Sequence, residues 1–320
     1  MPLLSVLLPA RNAGPWVDAA LASLLRQSMR DLEVVAVDDG STDETPERLE
    51  RAAASDPRVR VLHTEARGLP QALETARAHA RGAFLARHDA DDLSHRRRFE
   101  LQLAHLQARP EAGVCGARVR LFPHGRVGQG MRRWGAWHDA LLEHEEMARD
   151  VCIDSPLAHG AALMRREALD RVGGWRERGW PEDLDLWMRM IEAGVRLTKV
   201  PRRLYAWRQH AGSATRVDPR YAPERFRALK LDMLGRGLLA GRTQVMLAGV
   251  GASVRGWAGA LGERGFEVAL VEARRPDPPA LARLEAPLVL VFGARPARER
   301  WRSALTAHGL REGAQFAFVA

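Results

Sequence analysis

A chain of 320 residues is long enough for about two domains, and 46% hydrophobic with 28% charged residues is the make-up of a globular protein in water. The net charge is +9, but Lys199 and Lys230 are the only lysines among 49 basic residues, and the arginines run along the whole length. That pattern follows composition, and no recognised nucleic-acid-binding motif accompanies the charge; no apolar run approaches the ~20 residues of a membrane span, and Cys115 and Cys152 have neither disulfide-framework nor zinc-ligand spacing.

Leu3–Pro9 is short and apolar with no basic residue before it, which predicts a first strand rather than a leader. Asn12-Ala13-Gly14-Pro15 opens a helix with Val17, Leu21, Leu24 and Leu25 on one face. A second strand, Glu33–Val37, ends in Asp38-Asp39-Gly40-Ser41-Thr42-Asp43, and Thr45 is placed to cap a helix with Pro46 in its first position. A strand at Val59–Leu62, a helix at Leu69–Ala80 and a strand at Ala83–Ala86 follow. Strands alternating with helices give a mostly parallel sheet covered on both faces. Ligands bind such sheets beyond the carboxyl ends of the strands, where Pro9, Asp39 and Asp89 all fall.

Further on, Phe99–Gln107 reads as a helix, Gly113–Phe122 as extended, and Gly125–Trp137 as a glycine-rich basic stretch with two tryptophans. Pro181–Ala193 is a helix and Tyr221–Leu239 a helical connector. A second α/β unit begins near Arg242: strands at Val245–Ala248, Glu267–Val271, Leu288–Phe292 and Phe316–Val319, a helix carrying Trp257 and Leu261, and another at Ala297–Ala307. The expected division is 1–215, a connector at 216–241, and a small domain at 242–320.

The segment Phe84-Leu85-Ala86-Arg87-His88-Asp89-Ala90-Asp91-Asp92 carries the strongest chemical signal. A buried strand stops at carboxylates two residues apart, which repel one another unless a cation sits among them. Oxygen ligands suit Mg2+ or Mn2+, and such ions share their shell with substrate phosphates. Metal and diphosphate binding is expected here, with Asp91 as direct ligand; the plainer alternative is a polar loop capping the next helix. Asp38 and Asp39 suit hydrogen bonding to a nucleobase or ribose, or turn chemistry alone. Glu182 and Asp183 open a helix behind Pro181, where the dipole favours acidic residues and keeps a carboxylate ionised, as a general base requires. His159 and His210 are candidate ligands or core histidines. Gly249-x-Gly251 after a strand suggests a dinucleotide turn, yet Val254 stands where the third glycine would be.

Taken in order, Ser5-Val6-Leu7-Leu8-Pro9-Ala10-Arg11-Asn12, Glu33–Asp43, Arg87–Asp92, Gly173-Gly174-Trp175 and Glu182-Asp183-Leu184-Asp185-Leu186-Trp187-Met188-Arg189 resemble the family 2 glycosyltransferases over about residues 1–215. The resemblance implies a GT-A fold, a mostly parallel sheet flanked by helices, here followed by a small Rossmann-like α/β domain. It implies an inverting, nucleotide-sugar-dependent enzyme of the kind that builds cell-envelope polysaccharide, using Mn2+ or Mg2+. Pro9, Ala10 and Arg11 would lie along the nucleobase and Asp39 on the base or ribose. Asp89 would face the ribose or the metal, Asp91 would ligate the metal bridging the diphosphate, and His210 would approach either. Asp183 resembles the family's base, with Glu182 beside it touching the acceptor.

Many relatives carry Arg-Asn before the fourth strand; this chain has Leu73 and Glu74, so Arg67 or Arg87 is the candidate for contact with the donor's diphosphate. Trp134, Trp137 and Trp180 suit stacking on sugar rings or packing, and Trp180 is assigned to the acceptor. The implied partners are a nucleotide-sugar donor and a glycan, lipid-linked or small-molecule acceptor. A cytoplasmic location is expected, with a basic surface suited to peripheral attachment at the inner face of a membrane. Competing readings are a nucleotide-sugar-binding protein without transfer and a nucleotidyltransferase. Intact Asp91 and Asp183 oppose the first, and the short loop after the first strand, with one glycine, opposes the second.

Overall fold

The computed structural model describes residues 2–276 and 286–320, which group into two units. The chain up to Ala148, with Pro156–Arg178 and Glu182–Asp218, forms the first; Arg149–Ser155, Gly179–Pro181 and Pro219 onward form the second. Most of the segment expected as a connector, 216–241, therefore belongs to the second unit.

In the first unit β1 (Leu4–Ala10), α1 (Gly14–Leu25), β2 (Leu32–Asp39), α2 (Thr45–Ser55), β3 (Val59–Thr64), α3 (Leu69–His79) and β4 (Phe84–Arg87) alternate. Then come β5 (Leu93–Ser94), α4 (Arg98–Gln107), β6 (Ala112–Phe122), α5 (Gln129–Ala140), α6 (His144–Asp150), β7 (Leu163–Arg165), α7 (Arg166–Arg171), α8 (Glu182–Glu192), β8 (Arg196–Arg208) and α9 (Ala214–Val217). The sheet has the order β3-β2-β1-β4-β7-β6-β8-β5. β3, β2, β1 and β4 are parallel, β7 is antiparallel to both its neighbours, β6 and β8 are parallel, and β5 is antiparallel to β8.

Every residue of β1 and β2 is buried, as continuous apolar strands covered on both faces must be. Val17, Leu21 and Leu24 of α1 pack with Leu4, Val6, Leu8, Val34 and Ala36 in one core. Register fixes the rim: Leu7 lies opposite Val35 and Arg87, and Ala10 opposite Asp38. The β1–β4 ladder ends at Leu7, so the missing N–H of Pro9 removes no bond on that side. The loop after β4 leaves the middle of the sheet and rejoins it as β5, where Leu93 pairs with Ala206 and Ser94 with Tyr205.

Four elements differ from the sequence reading. Thr45 is the first residue of α2, with Glu44 at the cap position; its hydroxyl instead accepts the Ala13 N–H at 2.7 Å and donates to Asp43 at 2.5 Å, tying two loops together. Gly125–Trp137, where glycine and arginine obscure any period, contains most of α5. β5 and β7 are too short to show alternation.

In the second unit β9 (Gln244–Gly249), β10 (Glu267–Glu272), β11 (Leu288–Val291) and β12 (Phe316–Phe318) form a parallel sheet in the order β10-β9-β11-β12. α10 (Pro223–Arg236), α11 (Gly251–Gly262) and α12 (Arg295–Ala307) accompany it, with Trp301, Leu305, Phe316 and Phe318 in its core. Among the described residues no helix is long and apolar enough to cross a membrane.

Candidate active site

The loop after β4 is built on a buried cation. Arg98 of α4 is fully buried, and its guanidinium donates to Arg87 O at 3.0 Å, Ala162 O at 3.2 Å, Ser94 Oγ at 3.1 Å and Gln102 Oε1 at 3.0 Å. Burial pulls it down to about 10, so it stays charged at neutral pH. It lies over the Tyr205 ring at 4.9 Å. The Tyr205 hydroxyl donates to Asp89 Oδ2 at 3.2 Å, and the same oxygen is ion-paired to the buried Arg87 guanidinium. Asp91 Oδ2 lies 2.8 Å from His210 Nε2, and the His210 ring lies 4.3 Å from the Trp16 ring. Asp92 points inward, where its Oδ1 accepts the Arg208 N–H at 2.5 Å. Burial first, and the Asp91 charge second, push the Asp92 carboxyl well above its ordinary value. Burial also drives the His88 imidazole well below its ordinary value, so that ring is neutral.

The open oxygens are therefore those of Asp89 and Asp91, whose side chains are 31% and 24% exposed. Among the described residues no three side chains converge as a complete metal cage. Asp91 Oδ1 carries no hydrogen bond among them, and a hard cation needs only one or two carboxylates when phosphates and water complete its shell. Asp91 offers an oxygen of the kind that Mg2+ or Mn2+ takes when held in that way, with His210 Nε2 on its other oxygen.

On the strand ends nearby, Pro9 and Ala10 are buried and Arg11 is exposed. The loops after β1 and β2 are laced together: Asn12 N–H donates to Ser41 Oγ at 3.0 Å, Thr42 N–H to Asn12 Oδ1 at 2.8 Å, and Gly14 N–H to Asp43 Oδ2 at 3.0 Å. Asp39 is buried and accepts the Arg67 and Gly68 N–H groups at 2.7 and 2.9 Å. It thus fixes the loop after β3 and keeps one further lone pair on each oxygen. The Arg67 side chain is exposed beside Glu65, and Glu74 is used elsewhere, as described next.

α8 starts with Glu182, buried, and Asp183, half-buried. Glu182, expected beside the acceptor, is enclosed, with Oε1 3.3 Å from His159 Nδ1. His159 Nε2 accepts the Trp175 indole N–H at 2.9 Å, so both ring nitrogens of this candidate ligand face protein groups. Trp175 N–H donates to Glu74 Oε1 at 2.7 Å, and a Cβ at Gly174, which has φ +72, would collide with that carboxylate. The next turn brings the acidic clusters together. A Cβ at Gly160 would strike the Tyr205 hydroxyl and Asp89 Oδ2 at 2.6 Å, so the residue beside His159 lies against Asp89. Gly160→Ala is accordingly expected to lower stability by roughly 1–3 kcal/mol, as overpacking does, visible as a lower midpoint in thermal denaturation; an unchanged midpoint would mean that this contact is loose. Of the expected residues, Trp180 alone groups with the second unit.

Sequence reasoning missed Arg98, Tyr205 and the clasp role of Glu74. The one available signal was Arg98 beside Phe99 at the start of an otherwise amphipathic helix.

A family model described as Glycosyl transferase family 2 matches residues 5–173. EpsE of Bacillus subtilis (strain 168) is 30% identical over 221 residues, covering 67% of this chain and 76% of that protein. S. aureus TarS 1–349 in complex with UDP-GlcNAc superposes with a TM-score of 0.60 at 21% identity, over 74% of this chain and 66% of that one. The mannosyltransferase PcManGT from Pyrobaculum calidifontis in complex with GDP-Man and Mn2+ does so with a TM-score of 0.53 at 22% identity, over 96% of this chain and 86% of that one.

Proposed function

Because the chain belongs to glycosyl transferase family 2, we propose that this glycosyltransferase moves a sugar from a nucleoside-diphosphate sugar to an acceptor hydroxyl, with inversion and with help from a divalent cation. The observation that carries the reading is the short path from Asp89 through Gly160 and His159 to Glu182, which brings the acidic loop and the start of α8 to one place. The nucleotide sugars held by the two solved structures support such a donor.

In this reading Pro9, Ala10 and Arg11 flank the base, and Asp39 acts on the base or ribose from beneath. Arg87 reaches the donor side only through Asp89, which it holds in place. Asp91, with Asp89 and His210 alongside, would hold Mn2+ or Mg2+, which when bound offsets the negative charge gathering on the diphosphate. Asp183 accepts the proton of the acceptor hydroxyl as its oxygen attacks the anomeric carbon. A helix N-terminus favours a negative charge there, and attack opposite the departing diphosphate inverts the anomeric centre. The acceptor class proposed is a glycan or a lipid-linked sugar. The test is a thermal-shift screen of UDP, GDP and dTDP with and without Mn2+, followed by turnover of the matching sugar donors. A metal-dependent upward shift for one nucleotide is expected; no shift with any of them would sink the reading.

A further inference from the structure

Two stretches of this chain hold basic residues and no acidic ones. No acidic residue stands between Glu111 and Asp139, or between Glu192 and Asp218. The first stretch contains β6 and most of α5, and the second contains β8. β6 and β8 are neighbours in the sheet and α5 packs against β6, so the fold sets the two stretches side by side. In that register Arg118 lies opposite Arg203, and like charges so placed repel. A cleft of about 490 Å³ lies there, lined by Arg118, Ala136, Asp139, Ala140, Pro201 and Arg203.

Asp139 is the one carboxylate in that lining, and it is held from behind. Its Oδ1 accepts the Val119 N–H at 3.1 Å and lies 3.3 Å from His138 Nδ1, and its Oδ2 is 3.5 Å from Arg203 Nε. Burial drives the His138 imidazole down to about 4, so the ring is neutral. Its Nε2 accepts the Ala158 N–H at 3.2 Å, which leaves the proton on Nδ1, toward Asp139. Arg118 Nε donates to Asp139 O at 2.8 Å and Nη1 to Pro201 O at 3.3 Å, bonds that orient the guanidinium without neutralising it. Among the described residues Arg118 Nη2 carries no hydrogen bond, and the 69% exposed Arg203 side chain meets only Asp139. Two positive charges therefore share one negative charge. We propose that this cleft is an anion site of its own, taking a phosphate ester between Arg118 and Arg203 with the ester's carbon part against Ala136, Ala140 and Pro201. Guanidinium forks match phosphate oxygens in pairs, and a cleft of this size has room for an organic group as well as the phosphate. Two sources offer such an ester: the acceptor, or the headgroup of an anionic phospholipid. Arg203 stands about 7 Å along the strand from Tyr205, which touches Asp89, so an acceptor gripped by its phosphate here would be moored beside the donor rim. That use of the cleft, unlike the anion site itself, rests on the transfer reading above.

Binding measured with EDTA and without nucleotide isolates this cleft from a metal-dependent donor. Glycerol 3-phosphate, titrated by calorimetry, is the soluble probe. Vesicles of phosphatidylglycerol in phosphatidylcholine, against phosphatidylcholine alone, are the membrane probe, read by co-sedimentation. Arg203→Ala removes a cleft arginine, and Arg133→Ala removes the same charge from α5 outside the lining. Both side chains are exposed, so both variants should melt with the wild type. Glycerol 3-phosphate should bind the wild type and Arg133→Ala alike, and Arg203→Ala roughly 10–100-fold more weakly, the worth of charge-assisted hydrogen bonds. Retention on the anionic vesicles without binding of the soluble ester, with the same ranking of variants, supports the site and assigns its ester to a phospholipid headgroup. Equal loss in the two variants means diffuse surface charge and overturns the site. So does wild-type binding by Arg203→Ala, or no binding to either probe. Because neither nucleotide nor metal is present, such a failure leaves sugar transfer standing, whereas a nucleotide screen without shifts leaves the cleft standing.

Discussion

Asp183→Asn should slow sugar transfer by roughly 10²–10⁴-fold, the contribution of a general base, while leaving the nucleotide grip intact. The substitution keeps the shape of the side chain and removes only the ability to take a proton. Asparagine is also well tolerated around a helix N-terminus, so α8 should still start where it does. Donor affinity should persist because the residues assigned to the nucleotide, Pro9 to Arg11, Asp39 and the β4–β5 loop, lie on other elements. Steady-state kinetics with the donor found by the thermal-shift screen, beside calorimetry with its nucleoside diphosphate, would divide the two effects. Turnover within a few-fold of the wild type would show that the proton leaves by another route.

The second large effect is expected at Asp91. Partners that merely orient a metal ligand are worth roughly 10–100-fold in metal affinity, so Asp91→Asn, which removes the carboxylate proposed as the direct ligand, should exceed that loss. The Mn2+-dependent part of UDP or GDP binding should go with it, as read by titrating Mn2+ into protein saturated with nucleotide. Stability should move the other way or not at all. Asp91 is one cause of the raised carboxyl of Asp92 beneath it, and taking away a like charge beside a buried carboxyl relieves repulsion. A variant that loses metal affinity yet melts no earlier than the wild type fits a residue kept for binding rather than for folding. Unchanged metal affinity would move the cation site elsewhere.

What the sequence disclosed and what it hid have physical causes. β1 to β4 and their helices were legible because strands buried on both faces are unbroken apolar runs, and because proline stands in the first turns of α1, α2 and α3. The acidic loop and the Glu182-Asp183 pair were legible as short linear patterns. Tyr205 was not: it meets Asp89 from 116 residues away, and only the register of β8 delivers it. Arg98 reads as an ordinary helix-start residue until the sheet closes over it. Glu74, which stands where many relatives have asparagine, turns out to hold the Trp175 backbone, a role that only the folding of α3 near residue 174 could reveal. β5 and β7 are short enough that pairing, not composition, makes them strands.

The loop between β4 and β5 is fastened at both ends by ladders and from below by Arg98. Its backbone has little freedom left to lose when a ligand arrives, because that ordering was completed when the chain folded. Recognition at this rim is then a matter of exchanging water for ligand on a surface already in shape, and the heat and entropy of association should report solvent, not the stiffening of a polypeptide segment.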